Sequence, residues 1–485
     1  MPPRDLSVLI IGAGAGGLAA AAAMRRDGVR DLTVVEQAGE VGGVWAANTY
    51  PGAQCDVPSH LYSLSFRPNP RWSRTYGDGP EILENLRDVV RAHGLEPYLR
   101  LRTTVRRARW DDGGWLVELD HPEEGLTEVR ADVVIAATGQ LSRPAVPALD
   151  GLESFSGQAF HSADWPAELD LNGKRVAVVG TGASAVQFVP RIVEAAQRVT
   201  VFQRSAPYIV GKADRPYREW EKAAYARVPG LLRLSRLRQY LWNEMLGLGF
   251  VKYPVLMRFA EVGWRLRLLR AVRDRSLRRK LTPDYRMGCK RILRAPDWYR
   301  TLVRPDVDLV TEPISGVTPE GVRTADGALH EADVLIFGTG FETTDFLAPI
   351  EITGPDGVTL AERWRDGATA YLGTVVAGFP NLFTLYGPGT NLGNTSILLM
   401  IEAQLGWVRQ ALRRLRSGGA ETIEVRPEVQ QAYLDWFHAA SAGTIWETGC
   451  RSWYLVDGHN VNNWPDSAHA FRRRLRRLDP ADLIS

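Results

Sequence analysis

Cysteine is nearly absent from this chain. Three residues, Cys55, Cys289 and Cys450, stand far apart among 485. That spacing excludes a CxxC redox pair and any metal-ligand spacing, so no metal site is expected, and it predicts no disulfide framework. Long apolar runs are missing too. No stretch of about 18 apolar residues occurs, so a spanning helix is not expected. The short run Leu18–Met24 resembles a signal-peptide core, but it follows a strand and a glycine turn and reads better as the first helix of a nucleotide-binding unit. The combination predicts a cytosolic protein. A strong charge imbalance is also lacking, and the net charge of +3 says little about partners. Tryptophan, at fifteen residues, is plentiful and is assigned mostly to core packing. The length suggests two or three domains.

What is present is glycine in a pattern. SVLIIGAGAGGLAAAAAMRR runs from a β-branched apolar segment into Gly12-x-Gly14-x-x-Gly17 and then into an alanine-rich helix. The triplet alone is weak evidence. Its context is stronger, because a second strand, LTVVE, follows and ends in Glu36. The glycines let a pyrophosphate approach a helix N-terminus, and a carboxylate at that strand end accepts hydrogen bonds from a ribose diol.

The pattern returns at RVAVVGTGASAVQ, with Gly180, Gly182 and Ala185 in the three positions. The next strand, RVTVFQ, leads to Arg204 and Ser205 instead of an acid. An acid repels a 2′-phosphate, whereas an arginine beside a serine binds one. The first unit therefore reads as an FAD site and the second as an NADPH site. ADVVIAATG (Ala131–Gly139) and ADVLIFGTG (Ala332–Gly340) repeat each other almost residue for residue, each after strand-and-turn sequence. The fold class expected is α/β, with two Rossmann-like dinucleotide-binding domains, the second inserted into the first. The expected division is 1–150 for the first part of the FAD domain, 151–330 for the NADPH domain, and 331–485 for the second part of the FAD domain with a C-terminal active-site loop.

Residues 212–284 differ in texture. They hold 18 Lys/Arg against 7 Asp/Glu, so the rest of the chain is net negative. Leucines and arginines recur at helical spacing, which predicts a helical insert over about 211–285. A solvated basic face is the default reading. A basic amphipathic surface that visits anionic membranes is the sharper alternative. No stacking pattern or base-reading motif accompanies the charge, so nucleic acid is not expected as a partner.

Between the two units lies FSGQAFHSADWP, Phe155 to Pro166. Phe155, Gly157, His161, Trp165 and Pro166 match every fixed position of FxGxxxHxxxWP, and in this respect the chain resembles the type I Baeyer–Villiger monooxygenases. The resemblance extends over nearly the whole chain. It implies FAD and NADPH as cofactors, dioxygen as co-substrate, and a flavin peroxide that inserts oxygen beside a ketone carbonyl to give an ester or lactone, with sulfides as further substrates. The related nitrogen- and sulfur-oxidising flavin monooxygenases are the runner-up, and a non-enzymatic flavoprotein redox sensor or electron carrier is the third reading.

By the same resemblance, GGVWAANTYPGAQCDVPSHLYSLSF (Gly42–Phe66) is a flavin-facing loop with Val44, Trp45, Asp56 and Tyr62 at family positions, while Ala46 and Ala47 replace aromatics common in relatives. Val105 and Ile397 are implied at FAD. Gln54, Cys55, Thr181, Ala183, Ser184 and Gln187 are implied at NADPH. GCKR (Gly288–Arg291) resembles the catalytic segment, with Lys290 on the NADPH phosphate and Arg291 facing the flavin, supported by Asp56. RSWYLVDGHN (Arg451–Asn460) resembles the C-terminal loop whose tryptophan, Trp453, reaches the nicotinamide cofactor. His161 is expected to couple the position of the NADPH domain to the flavin site rather than to perform a chemical step.

Overall fold

The computed structural model describes residues 5–450 and 452–484. Two five-stranded parallel sheets organise the chain. The first runs, in spatial order, Leu382–Thr384, Val133–Ala136, Val8–Ile11, Leu32–Val35 and Leu99–Arg100. The second runs Gln158–His161, Val334–Phe337, Arg175–Val179, Arg198–Phe202 and Val307–Val310. The two orders are equivalent. In each, the strand entering the glycine turn is central, and the strands of the repeated ADVVIAATG and ADVLIFGTG segments lie beside it. Those strands are buried along their whole length, which is why they read as unbroken apolar runs rather than alternating ones.

Each sheet carries an antiparallel meander. Thr104–Asp111, Gly114–His121 and Gly125–Ala131 form the first, joined by Glu351–Thr353. Ile314–Thr318, Gly321–Thr324 and Leu329–Glu331 form the second. After the second unit the chain returns to the first sheet through Leu382–Thr384, and the long helix Ile397–Arg416 packs on the alanine-rich helix Ala15–Arg26. Small side chains permit that approach. A Cβ on Gly16 would lie 3.8 Å from Ile401 Cδ1.

The two chain crossings between the sheets pair with each other. Ala145 N–H donates to Gly340 O at 2.9 Å and Glu342 N–H donates to Arg143 O at 2.9 Å. The basic segment forms the helices Glu219–Arg227, Leu231–Val251, Val255–Ala271 and Arg275–Lys280.

Two sequence expectations change here. Residues 158–161, read from the sequence as lying between the two units, are the edge strand of the second, paired in parallel with Val334–Phe337. The absence of disulfides is also overturned: Cys289 and Cys450 are bonded, with Cα atoms 6.2 Å apart. Separation along the chain misled, because the C-terminal loop folds back onto the segment that holds Cys289. Cys55 is a free, buried thiol.

Candidate active site

Both glycine turns are built by close approach. Gly12 has φ +102°, and a Cβ there would sit 2.7 Å from Ala137 O; Gly180 has φ +105°, and a Cβ would sit 2.5 Å from Gly338 O. In each unit the turn is thus pressed against the repeated returning strand. A Cβ on Gly17 would come within 1.8 Å of Gly12 O, so only glycine fits there. Neither following helix, Ala15–Arg26 after Gly14 or Ala185–Ile192 after Ser184, has its first N–H groups capped by a side chain. Uncapped N–H groups at a helix start are suited to a pyrophosphate, so both crevices fit a dinucleotide.

At the first unit's strand end, Glu36 is buried. Its carboxylate accepts the N–H of Ala13 at 2.8 Å and of Ala38 at 2.9 Å. These bonds fix it beside the glycine turn with acceptor capacity left for a ribose. At the second unit's corresponding position, Arg204 is exposed, Ser205 is half-buried, and Lys290 Nζ donates to Ser205 Oγ at 3.1 Å. Neither cation has a carboxylate within ion-pair distance among the described residues. Burial lowers the Lys290 pKa, and the nearby Arg204 charge lowers it further. Two like charges held together without an anion between them fit a phosphate. Thr181 Oγ1 donates to Ser205 O at 3.3 Å, tying the turn to this cradle, and Gly182 and Ala183 lie exposed at its rim.

Gln187 stitches the two units together. Its Oε1 accepts from Tyr50 OH at 3.0 Å and its Nε2 donates to Gln54 O at 2.8 Å. Gln54 in turn accepts from Lys212 Nζ at 2.7 Å. The Cys55 side chain packs with Trp72, Ile82 and Tyr217, and burial pushes its thiol up to about 12, so it stays protonated. In the loop Gly42–Phe66, Trp45 Nε1 donates to Tyr62 OH at 3.0 Å, while Val44 is exposed. Val105 is buried with Leu9, Ile11 and Val35 behind the first sheet. Ile397 opens the helix whose Ile401 faces Gly16.

Where the units meet, Arg291 Nη2 lies 3.7 Å from Asp56 Oδ2. This is a loose ion pair rather than a two-pronged carboxylate fork. The Arg291 side chain keeps 41 % of its exposure. Burial works against its charge, but Asp56, Tyr454 and Tyr386 more than offset that, and the net shift of its pKa is upward. The other Asp56 oxygen faces Lys212 Nζ, also at 3.7 Å, and has no hydrogen-bond partner among the described residues. The Lys212 side chain is 3 % exposed and lies over the Tyr76 ring at 4.9 Å. Sequence reasoning missed Lys212, since nothing local separates it from the other basic residues of its segment.

Trp453 is half-buried against the cluster of Phe250, Ile445, Trp446 and Tyr454, whose edge includes Ile292, the neighbour of Arg291. The Cys289–Cys450 bond anchors this loop to the segment Gly288–Arg291. Arg451 lies outside the described residues.

The fingerprint residues act mainly through packing. A Cβ on Gly157 would fall 2.3 Å from Asp333 O, so glycine lets the edge strand seat. Phe155 packs on the cluster containing Val179 and Phe202. Trp165, followed by Pro166, packs with its ring tilted at 56° and 5.3 Å from Phe188 of the helix Ala185–Ile192. His161 is buried, its Nδ1 accepts from Ala163 N–H at 3.1 Å, and its ring meets Phe341 edge-on at 5.5 Å. It therefore touches the paired crossings between the domains.

A family model described as pyridine nucleotide-disulphide oxidoreductase matches residues 9–219. The chain is 44 % identical to a Baeyer–Villiger monooxygenase of Streptomyces coelicolor, over 99 % of this chain and 92 % of that one. It is 40 % identical to a Baeyer–Villiger monooxygenase of Pseudomonas aeruginosa, over 98 % and 90 %. Among solved structures, an oxidised steroid monooxygenase bound to NADP superposes with a TM-score of 0.85 at 32 % identity, covering 97 % of each chain. A cyclohexanone monooxygenase from Rhodococcus sp. Phi1 bound to NADP+ superposes at 0.87 with 29 % identity, covering 98 % and 97 %.

Proposed function

The chain belongs to the Baeyer–Villiger monooxygenases, and from that membership and the geometry above we propose a division of labour among its residues. FAD sits in the crevice of Gly12, Gly14, Gly17 and Glu36, and NADPH in that of Gly180, Gly182 and Ala185. Bound FAD supplies the chemistry by which electrons from NADPH and an atom of dioxygen convert a ketone to an ester or lactone. Arg204, Ser205 and Lys290 hold the 2′-phosphate. Arg291 stabilises the negative charge that gathers on the former carbonyl oxygen, and a fixed cation aimed at developing charge is among the largest contributions a site can make. Asp56 orients Arg291 without occupying its donors. Thioethers enter the same crevice as secondary substrates.

The observation that carries this reading is Arg291 itself. It is a half-open guanidinium whose charge is sustained by Asp56, at the meeting of two dinucleotide folds. The test is product analysis with a panel of ketones and sulfides under NADPH. Esters from ketones support the proposal. NADPH consumption that yields only hydrogen peroxide on every substrate overturns it.

A further inference from the structure

The hairpin of helices Leu231–Val251 and Val255–Ala271 is amphipathic in the wrong sense for a surface helix pair. Among the described residues, 21 large hydrophobic side chains are exposed, and 13 of them fall between Leu234 and Leu269. On the first helix Leu234, Leu237, Leu241 and Met245 stand outward, with Trp242 beside them. On the second, Val255, Phe259, Val262, Leu266 and Leu269 follow spacings of three and four, and Phe259 keeps 73 % of its exposure. This is a continuous apolar stripe with the helical period, presented to the outside. Scattered exposed leucines are ordinary; a concentration of this kind marks an interaction surface.

The exposed, unpaired charges on the hairpin have one sign. Arg233, Arg238, Arg258, Arg265 and Arg270 are exposed and have no ion-pair partner among the described residues. The hairpin's two acids are turned inward. Glu244 accepts the N–H groups of Ala468 and His469, and Glu261 accepts from Arg286 Nε and Met287 N–H. The outward face therefore offers apolar side chains flanked by unpaired guanidinium groups only. A second copy docked face to face would set these arginines against one another. A plane of lipid phosphates over hydrocarbon satisfies both parts of the surface.

We propose that this hairpin docks the enzyme on anionic lipid bilayers, with the apolar stripe entering the headgroup–acyl boundary and the five arginines on lipid phosphates. The docking does not depend on the oxygenation reading. Its consequence does: Phe250 and Met257, near the hairpin's tip, pack against the cluster of Trp453, Tyr454 and Ile292, so the active-site crevice stands next to the docked element. Apolar ketones dissolved in the bilayer then reach the crevice at high local concentration.

The experiment is vesicle flotation with the full-length FAD-loaded protein. The probes are phosphatidylcholine vesicles and vesicles of phosphatidylcholine mixed with phosphatidylglycerol. Binding to the anionic vesicles, weakening as salt rises, is expected. The double variant Leu241→Ser/Phe259→Ser should bind roughly tenfold or more weakly, because two large apolar side chains no longer leave water. Arg258→Glu/Arg265→Glu should lose the preference for anionic vesicles. Both variants change exposed positions, and unchanged flavin content shows that they fold. Three outcomes overturn the proposal: no binding to anionic vesicles, binding untouched by either variant, or a concentration-dependent dimer that Leu241→Ser/Phe259→Ser dissolves, which assigns the face to a second copy.

Discussion

Lys212 Nζ stands 3.7 Å from Asp56 Oδ1, on the opposite side of the carboxylate from Arg291. Asp56 is thus held between two cations and bonded closely by neither. An aspartate facing Arg291 alone would be drawn onto it and would occupy its donors. With Lys212 sharing the carboxylate, Arg291 stays available.

Replacing Lys212 with Met is therefore expected to lower the rate of ester formation by roughly tenfold while flavin content is kept, the loss of one charge-assisted contact. Lys212→Arg should restore much of it. Burial lowers the Lys212 pKa below its ordinary value, with Asp56 pulling it back up. The charge is lost as pH rises through the lowered value. The alkaline limb of the rate profile should therefore shift upward in Lys212→Arg. A limb unmoved by that change removes the assignment.

Arg291→Ala should keep its FAD and still accept hydride from NADPH, yet form ester on the order of 100- to 1,000-fold more slowly. Stopped-flow bleaching of the flavin and product chromatography separate the two steps. Loss of flavin or a collapsed melting temperature would instead make Arg291 a structural pair for Asp56.

The phosphate cradle makes a prediction about cofactor choice. Arg204→Ala should raise the KM for NADPH about tenfold or more and leave that for NADH nearly unchanged, since only NADPH carries the 2′-phosphate. Equal effects on both cofactors would exclude Arg204 from the cradle.

His60 links the flavin-facing loop to the helical hairpin. Its ring stacks on Tyr217 at 5.1 Å and its Nδ1 lies 2.8 Å from Ser235 Oγ. Burial, with the Arg236 charge, pushes its pKa down to about 4. The unfolded chain therefore takes up the proton first. Stability from this residue is complete above the ordinary value of about 6.5 and is lost as pH falls towards 4. By linkage the loss is roughly 2 kcal/mol at about pH 5. Urea melts at neutral and acid pH should show this slope in the parent protein and a shallower one in His60→Gln.

The two nucleotide-binding units were legible in the sequence because their signals are local. A strand, a glycine forced by close approach, and a helix lie within twenty residues, and the charge at the next strand end tells the units apart. Lys212 and the Cys289–Cys450 bond were not legible. Each depends on segments distant in sequence, and neither leaves a mark on its neighbours. The edge strand Gln158–His161 is four residues long and is defined by its partner rather than by its own pattern. The basic insert showed its helical period plainly, but periodicity does not say which face points outward. Only the exposure of Phe259 and its neighbours decides that.

The Cys289–Cys450 bond also turns part of the chain into a covalent ring. The two cysteines are 161 residues apart, and the ring between them includes Val334–Phe337 of one sheet and Leu382–Thr384 of the other. A single protease nick within the ring leaves one covalent molecule while the bond is intact and two fragments once it is reduced. Limited proteolysis followed by electrophoresis with and without reductant reads this directly. The nick opens the ring, but while the bond is in place its two pieces stay covalently joined, so the nicked chain can refold without having to find its other half in solution.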